Sequence, residues 1–437
     1  MFLDNTLLFL YGLDVGDILR YFWAFIFFDF IRYLLLDLLV IFVYFPKRFF
    51  SRHKRRLARL SLYHERPLVS VIVPGKNEGR HIPRLASSLK LQNYKNIELI
   101  IVDDGSDDNT EIICRQLESA GSIDKFIRND IRGGKGSAAN TALNYANGKY
   151  IVHIDADSHL DDNSIETILL PFYMDARVGA VGGDVRVANT ESALAPKLQA
   201  IEYMKSISTG RTISSLLGLL RIISGAHGAF RKDVLDRLGG WDVGPGLDGD
   251  ITLKIRKLGL RVVHEPHAIC YTHVPVTFSR LAKQRFRWDR SMVRFRMRKH
   301  LDILLPSKSF SFKNFLSSFD NLLFNVLLNL KWWVYVIQLM IIPAARENIE
   351  YIIFINYILY FTVNLIEYFI ACLVYEKTLM KTDLLLIPFL PLMPIYTGVF
   401  IRIVRSYAYI MEFINKSSYS DPWNPWKVSK ISKQEKL

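Results

Sequence analysis

Cysteine is scarce: Cys114, Cys270 and Cys372 are the only three in 437 residues, no two form a CxxC, and the last lies inside an apolar run. That excludes a disulfide framework and a cysteine-based zinc site. The chain shows no internal repeat and no low-complexity segment, which excludes a solenoid and a long disordered linker. No basic residue precedes Arg20, whereas Asp4, Asp14 and Asp17 do, so the opening segment is not expected to be a signal peptide. Acidic residues are in deficit, 42 against 56 Lys and Arg, leaving a net charge of +14. Such an excess invites a nucleic-acid reading. Much of it lies beside apolar stretches, which favours anionic lipid headgroups as the partner and no nucleic acid.

Apolar residues, by contrast, are abundant. Half the chain is hydrophobic and 13% is aromatic. Residues 21–45 are apolar except for Asp29, Arg32 and Asp37, enough to cross a bilayer core of roughly 30 Å. Seven Lys or Arg follow between Lys47 and Arg59. The positive-inside bias then predicts an N-terminus outside and everything after Lys47 in the cytosol, that is, an integral cell-membrane protein with a cytoplasmic main domain. Three further apolar stretches occupy about 321–342, 351–375 and 384–404. In the third, "PFLPLMP" places Pro388, Pro391 and Pro394 three apart and predicts a broken or re-entrant segment, returning the lysine-bearing tail to the cytosol. The expected organisation is a tail and span (1–50), a basic linker (51–67), a globular domain (68–276), a basic interfacial helix (277–312), a membrane region (313–406) and a tail (407–437).

Within the globular stretch, "LVSVIVPG", "IELIIVDDG", "YIVHIDAD" and "GAVGGDVRV" read as strands, and 82–91, 109–120 and 135–147 as helices. The alternation predicts an α/β fold with a mostly parallel, doubly wound sheet. Ligands of such sheets bind beyond the carboxyl ends of the strands, where "PGKNE", "VDDGS" and "DAD" fall. Asp155 and Asp157 are two residues apart. In an extended segment they point the same way and can reach one hard cation, although Asp at a strand end also serves turn chemistry. Asp103 and Asp104 suit an Asx turn or helix cap, which leaves two consecutive acids only half explained.

The order "VIVPGKNE", "IIVDDGSDDNT", "GGKGSAANTAL", "HIDADS", "ISGAHGAFRKDVLDRLGGW", "LDGDITLKIRKLG" and "QRFRW" resembles the family 2 glycosyltransferases of GT-A fold, over roughly residues 68–290. Gln284, Arg287 and Trp288 match QxxRW, which is characteristic of membrane-embedded synthases of cellulose, chitin, hyaluronan and poly-N-acetylglucosamine. The resemblance implies a UDP-sugar donor, bound by Pro74, Asn77, Glu78, Asp103 or Asp104, Lys135, Asp155, Gln284 and Arg287. It implies a DxD motif, Asp155 and Asp157, holding Mg2+ or Mn2+. Asp248 falls at the general-base position, with Asp250 as the alternative because Leu247 stands where the family's Glu would be. Gly225, His227 and Trp288 fall on the acceptor side, although a histidine such as His227 is more often packed than liganding. The implied activity is a metal-dependent inverting transfer onto a growing β-linked polysaccharide, with export. The alternatives are single addition to a lipid-linked acceptor and a basic membrane-surface module without turnover. Arg294, Arg296 and Arg298 are expected only to anchor the interfacial helix in the headgroup plane.

Polar stripes run through the later spans. Asn321, Asn325 and Asn329 recur every four residues, followed by Lys331, while Asn356, Tyr360, Asn364 and Glu367 form a second stripe. Such groups face protein or water at membrane depth. Hydrogen bonds between helices are one reading. The mixture of amides, a phenol and a carboxylate tips the expectation toward a path for nascent polymer.

Overall fold

The computed structural model describes residues 1–31, 36–242, 244, 246–303, 310–420, 425, 428, 430, 433 and 434. Eight strands form one sheet: β1 (Val69–Gly75), β2 (Ile97–Asp103), β3 (Lys125–Arg128), β4 (Tyr150–Ile154), β5 (Ser158–Leu160), β6 (Val178–Val187), β7 (His227–Arg231) and β8 (Arg261–Thr272). Their order is β3-β2-β1-β4-β7-β6-β8-β5. The apolar runs become strands because both faces are covered. Val69, Val71 and Val73 pack under the helices Ile82–Lys90 and Ser164–Met174, while Ile72 packs under Lys135–Tyr145 and Leu247–Lys257.

The sheet is more mixed than expected, with four of seven pairings parallel. The reversal comes from β7, which lies antiparallel between β4 and β6 and pairs His227 with Ile154. An antiparallel neighbour begins where β4 ends, so the "SGA" turn before β7 arrives beside Asp155.

The basic linker is a helix, Arg52–Glu65, and it belongs to the domain's packing. Ala58 and Leu62 are buried, Arg55 pairs with Glu265 at 2.7 Å, and Arg59 and Tyr63 both reach Glu166. The helix Phe278–Arg294 also differs from expectation. It packs against Ile401–Asn415, with Phe286 stacked on Tyr407 and Asp289 paired to Arg405. Arg294 lies over Tyr419, Arg296 donates to the Arg221 carbonyl at 2.8 Å, and Arg298 pairs with Glu412 at 2.7 Å. These arginines are committed to protein partners rather than to headgroups.

Three helices, Phe312–Ile341, Ile349–Tyr375 and Ile387–Asn415, are long and apolar enough to cross a membrane by length and composition. The expected N-terminal span runs through residues 32–35, which lie outside the described residues. Pro388 and Pro391 sit in a 3-10 turn, Ile387–Leu392, that opens the third helix, and Pro394 follows directly. The segment stays helical to Asn415 instead of breaking, because prolines in the opening turns remove few intrahelical hydrogen bonds.

The polar stripes bind helices together. Lys331 pairs with Asp29 at 2.6 Å, and the Tyr360 hydroxyl donates to the same carboxylate. Asn356 donates to the Tyr335 hydroxyl at 2.9 Å, and Asn329 to Ser406 at 2.8 Å. Lys205, from the globular domain, engages both Asn364 and Glu367. The expected polymer path is therefore not supported by Asn329, Lys331, Asn356, Tyr360, Asn364 and Glu367, each of which bonds a neighbouring element.

Candidate active site

β1, β2 and β4 run parallel and end at one edge of the sheet, with Gly75 registered against Asp103. The turns beyond that edge are held by side chains. Asn77 has φ of 60°, its amide donates to Ser106 Oγ at 2.8 Å, and its side-chain oxygen accepts from the Asp107 amide at 3.0 Å. Asp103 accepts from the Ser106 amide at 2.9 Å and from its hydroxyl, and its second oxygen lies 3.8 Å from Arg128. Asp104 accepts from the Gly133 and Gly134 amides, each at 2.8 Å. Asp104 thus fixes the glycine turn that launches the helix Lys135–Tyr145. Pro74 lies buried inside β1, registered against Val102 of β2.

Asp155 follows β4 and Asp157 lies in the tight turn before β5, with the Ser158 amide donating to the Asp155 carbonyl at 3.0 Å. The two are brought together by this turn and not by the pleat of an extended strand. Lys135 Nζ bonds Asp155. Burial, the largest effect, would raise the Asp155 carboxyl, but Lys135, His153 and Arg287 together hold it below the usual range. Asp157 goes the other way, pushed up by burial and then by the charge of Asp155, despite hydrogen bonds at 3.2 Å from Ser158 and Thr272. Glu78 is pushed up to about 7 by burial and by Asp157.

On the opposite wall, Gly225 N–H donates to Asp248 Oδ2 at 2.9 Å. A Cβ at Gly225 would lie 2.6 and 2.9 Å from the two Asp248 oxygens and 2.9 Å from Lys135 Nζ. Only glycine leaves room for that approach. The Gly225 carbonyl faces His153 Nδ1 at 2.6 Å. His153 was not anticipated. It lies in β4, two residues before Asp155, and its ring is near enough to Lys135, Asp155 and Asp248 to feel their charges. Asp250, on the same helix as Asp248, is bound to His300, Lys299 and Lys254, and these hold its carboxyl far below the usual range against the opposing effect of burial.

Trp288 is 41% exposed and lies 4.5 Å from the Arg285 guanidinium. Arg287 lies close enough to Asp155 to lower its carboxyl, and Gln284 Oε1 is buried without a hydrogen bond. His227 is placed elsewhere. It is fully buried, 2.8 Å from Ser164 Oγ on the Ser164–Met174 face of the sheet, where burial lowers it to about 3. Its side chain is a packing element and does not line the wall formed by Gly225 and Asp248.

Among the described residues, no group of three or more His, Cys, Asp or Glu is placed to hold a metal unaided. Two crowded carboxylates with a raised Asp157 nevertheless fit a hard divalent cation whose remaining ligands are phosphate oxygens and water.

Residues 70–239 match the family described as Glycosyl transferase family 2. The chain is 32% identical over 222 residues to a poly-β-1,6-N-acetyl-D-glucosamine synthase of Staphylococcus epidermidis, covering 50% of this chain and 53% of that one. It is 31% identical over 266 residues to the synthase of the same name from Staphylococcus aureus, covering 60% and 61%. The chain therefore spans between half and two thirds of the length of these curated relatives. The solved structure of the mannosyltransferase PcManGT from Pyrobaculum calidifontis, in complex with GDP-Man and Mn2+, shares its fold, with a TM-score of 0.54, 20% identity and coverage of 83% of this chain and 96% of that one. The fold is GT-A. Residues 70–239 thus carry a domain of Glycosyl transferase family 2.

Proposed function

We propose that the protein is a membrane-embedded inverting glycosyltransferase that moves a sugar from a UDP-sugar onto a growing β-linked polysaccharide. The observation that carries this reading is the approach of Lys135 Nζ and the Asp248 carboxylate to the same point at Gly225, with Asp155 bound to that lysine. A donor-side cation and a candidate base thus share one cleft.

In this reading Asp248 accepts the proton of the acceptor hydroxyl as that oxygen attacks the anomeric carbon. Negative charge grows on the departing diphosphate, where Lys135 and the Arg287 guanidinium meet it. One in-line displacement inverts the anomeric centre. Mg2+ or Mn2+ held by Asp157 with Asp155 would supply Lewis-acid charge to the diphosphate when bound. Asp103, with one oxygen free of hydrogen bonds, is assigned to the nucleoside, and exposed Trp288 to the acceptor sugar. Asp104 acts through the turn it holds. The relatives' name points to N-acetylglucosamine as the sugar. The basic residues 47–59 support a cytosolic domain, and the apolar helices a bilayer around the spans.

The test is UDP release from UDP-N-acetylglucosamine by detergent-purified protein with Mn2+ or Mg2+, with products sized. Polymer is expected, and Asp157→Ala should lose at least roughly 100-fold in turnover. Single addition to a lipid would move the acceptor assignment. Absence of UDP release from any UDP-sugar would remove the reading.

A further inference from the structure

Asp250 stands two residues from the proposed base, yet its polar contacts lie with the segment that follows QRFRW. Its Oδ1 is 2.7 Å from His300 Nε2 and 2.9 Å from Lys299 Nζ, and its Oδ2 is 3.4 Å from Lys254. Asp242 pairs with Lys254 at 2.5 Å and also with Lys299. Lys299 closes a π-helical turn, Phe295–Lys299, that continues the helix bearing Arg287. A Cβ on Gly249 would run into the Phe295 ring, so the Asp248 helix rests flush on that turn. Ahead of this helix Gly244 and Gly246 hold φ of 109° and 89°, a backbone conformation that glycine adopts without strain. The neighbouring Arg298 is in turn paired at 2.7 Å to Glu412, fully buried in the last apolar helix.

We propose that Asp250 is a positioning residue: through Lys299 and His300 it bolts the Asp248 helix to the end of the QRFRW helix, so the proton acceptor and Arg287 are held on one rigid frame. The inference rests on the glycosyltransferase reading above. Its physical basis is that a buried carboxylate bonded to Lys299 and His300 across the two helices resists their relative displacement.

The experiment measures kcat and donor KM with UDP-N-acetylglucosamine, and the Kd of UDP, for full-length wild type, Asp250→Asn, Lys299→Met, Lys299→Arg, the double variant Asp250→Asn/Lys299→Met, and Asp248→Asn. Asp250→Asn and Lys299→Met should each lower kcat by roughly 10- to 100-fold, the cost of a small misplacement. Donor KM and the Kd of UDP should stay within about twofold, since the Arg287 helix remains held by Phe286 on Tyr407 and Asp289 on Arg405, and it is the Asp248 helix that shifts. The double variant should be no worse than the worse single one, and Lys299→Arg should recover most of the rate. A loss confined to folding would lower the amount of active protein without moving kcat per nucleotide site, and would overturn the proposal. An unaltered Asp250→Asn, an additive double variant, or a dead Asp250→Asn beside an active Asp248→Asn would also overturn it. Silence of the wild type would take down the glycosyltransferase reading and this one with it, whereas wild-type turnover with an unaltered Asp250→Asn takes down this one alone.

Discussion

Glu78 offers a readout of the carboxylate cluster that needs no turnover. Its carboxyl, ordinarily near 4.5, is pushed up to about 7 by burial and then by Asp157, with Arg80 opposing. At about 1.4 kcal/mol per pH unit that displacement is worth at most about 3 kcal/mol. The side chain is 30% exposed, so solvent screening reduces this to about 1–2 kcal/mol. The folded state prefers the protonated acid. The contribution is therefore fully present below pH 4.5 and lost as pH rises through about 7. Asp157, whose carboxyl is also pushed up by burial, contributes with the same sign. Glu78→Gln keeps the shape and removes the titration. In metal-free detergent solution, wild type should lose thermal stability between pH 5 and 8, while the variant should show a flatter profile. At pH 8 the variant should melt higher by about 2–8 °C, from about 2–4 °C per kcal/mol for domains of this size. Mn2+ with UDP should narrow the gap by relieving the crowded carboxylates. Identical pH slopes in the two proteins would refute the reasoning.

Gly225→Ala would set a Cβ 2.6 Å from Asp248 Oδ1 and 2.9 Å from Lys135 Nζ, so UDP release should fall roughly 100-fold. Gly398→Ala, with nothing within 4 Å of its added Cβ, should leave release unchanged, and equal effects at the two sites would deny the close approach. Lys331→Met strands the buried Asp29 carboxylate and should cost about 3–5 kcal/mol in thermal unfolding, with most recovered in Asp29→Asn/Lys331→Met. A stable Lys331→Met protein with altered polymer export would restore the path reading of the polar stripes.

The strands and the helices between them were legible because their signals are local. "VIVPG" and "YIVHI" can be satisfied only with both faces covered, and the acids after them mark where each run stops. The family match over 70–239 follows the same local motifs. The proline run misled for the opposite reason: "PFLPLMP" reads as a break, but the three prolines fall in opening turns, a matter of where the helix starts relative to its neighbours.

The sequence by itself determined the residue types at the strand ends and the apolar lengths of the later spans. Tertiary structure alone decided what each does. Asp248 and Asp250 are near-identical as text, yet one meets Gly225 and the other Lys299 and His300. Asp104 is taken up by two glycine amides 29 and 30 residues on, and His227 by Ser164. Lys331 finds Asp29 across 302 positions. Local propensity cannot encode such choices, because a charge or hydrogen bond is spent on whichever partner the packed chain brings within about 3 Å.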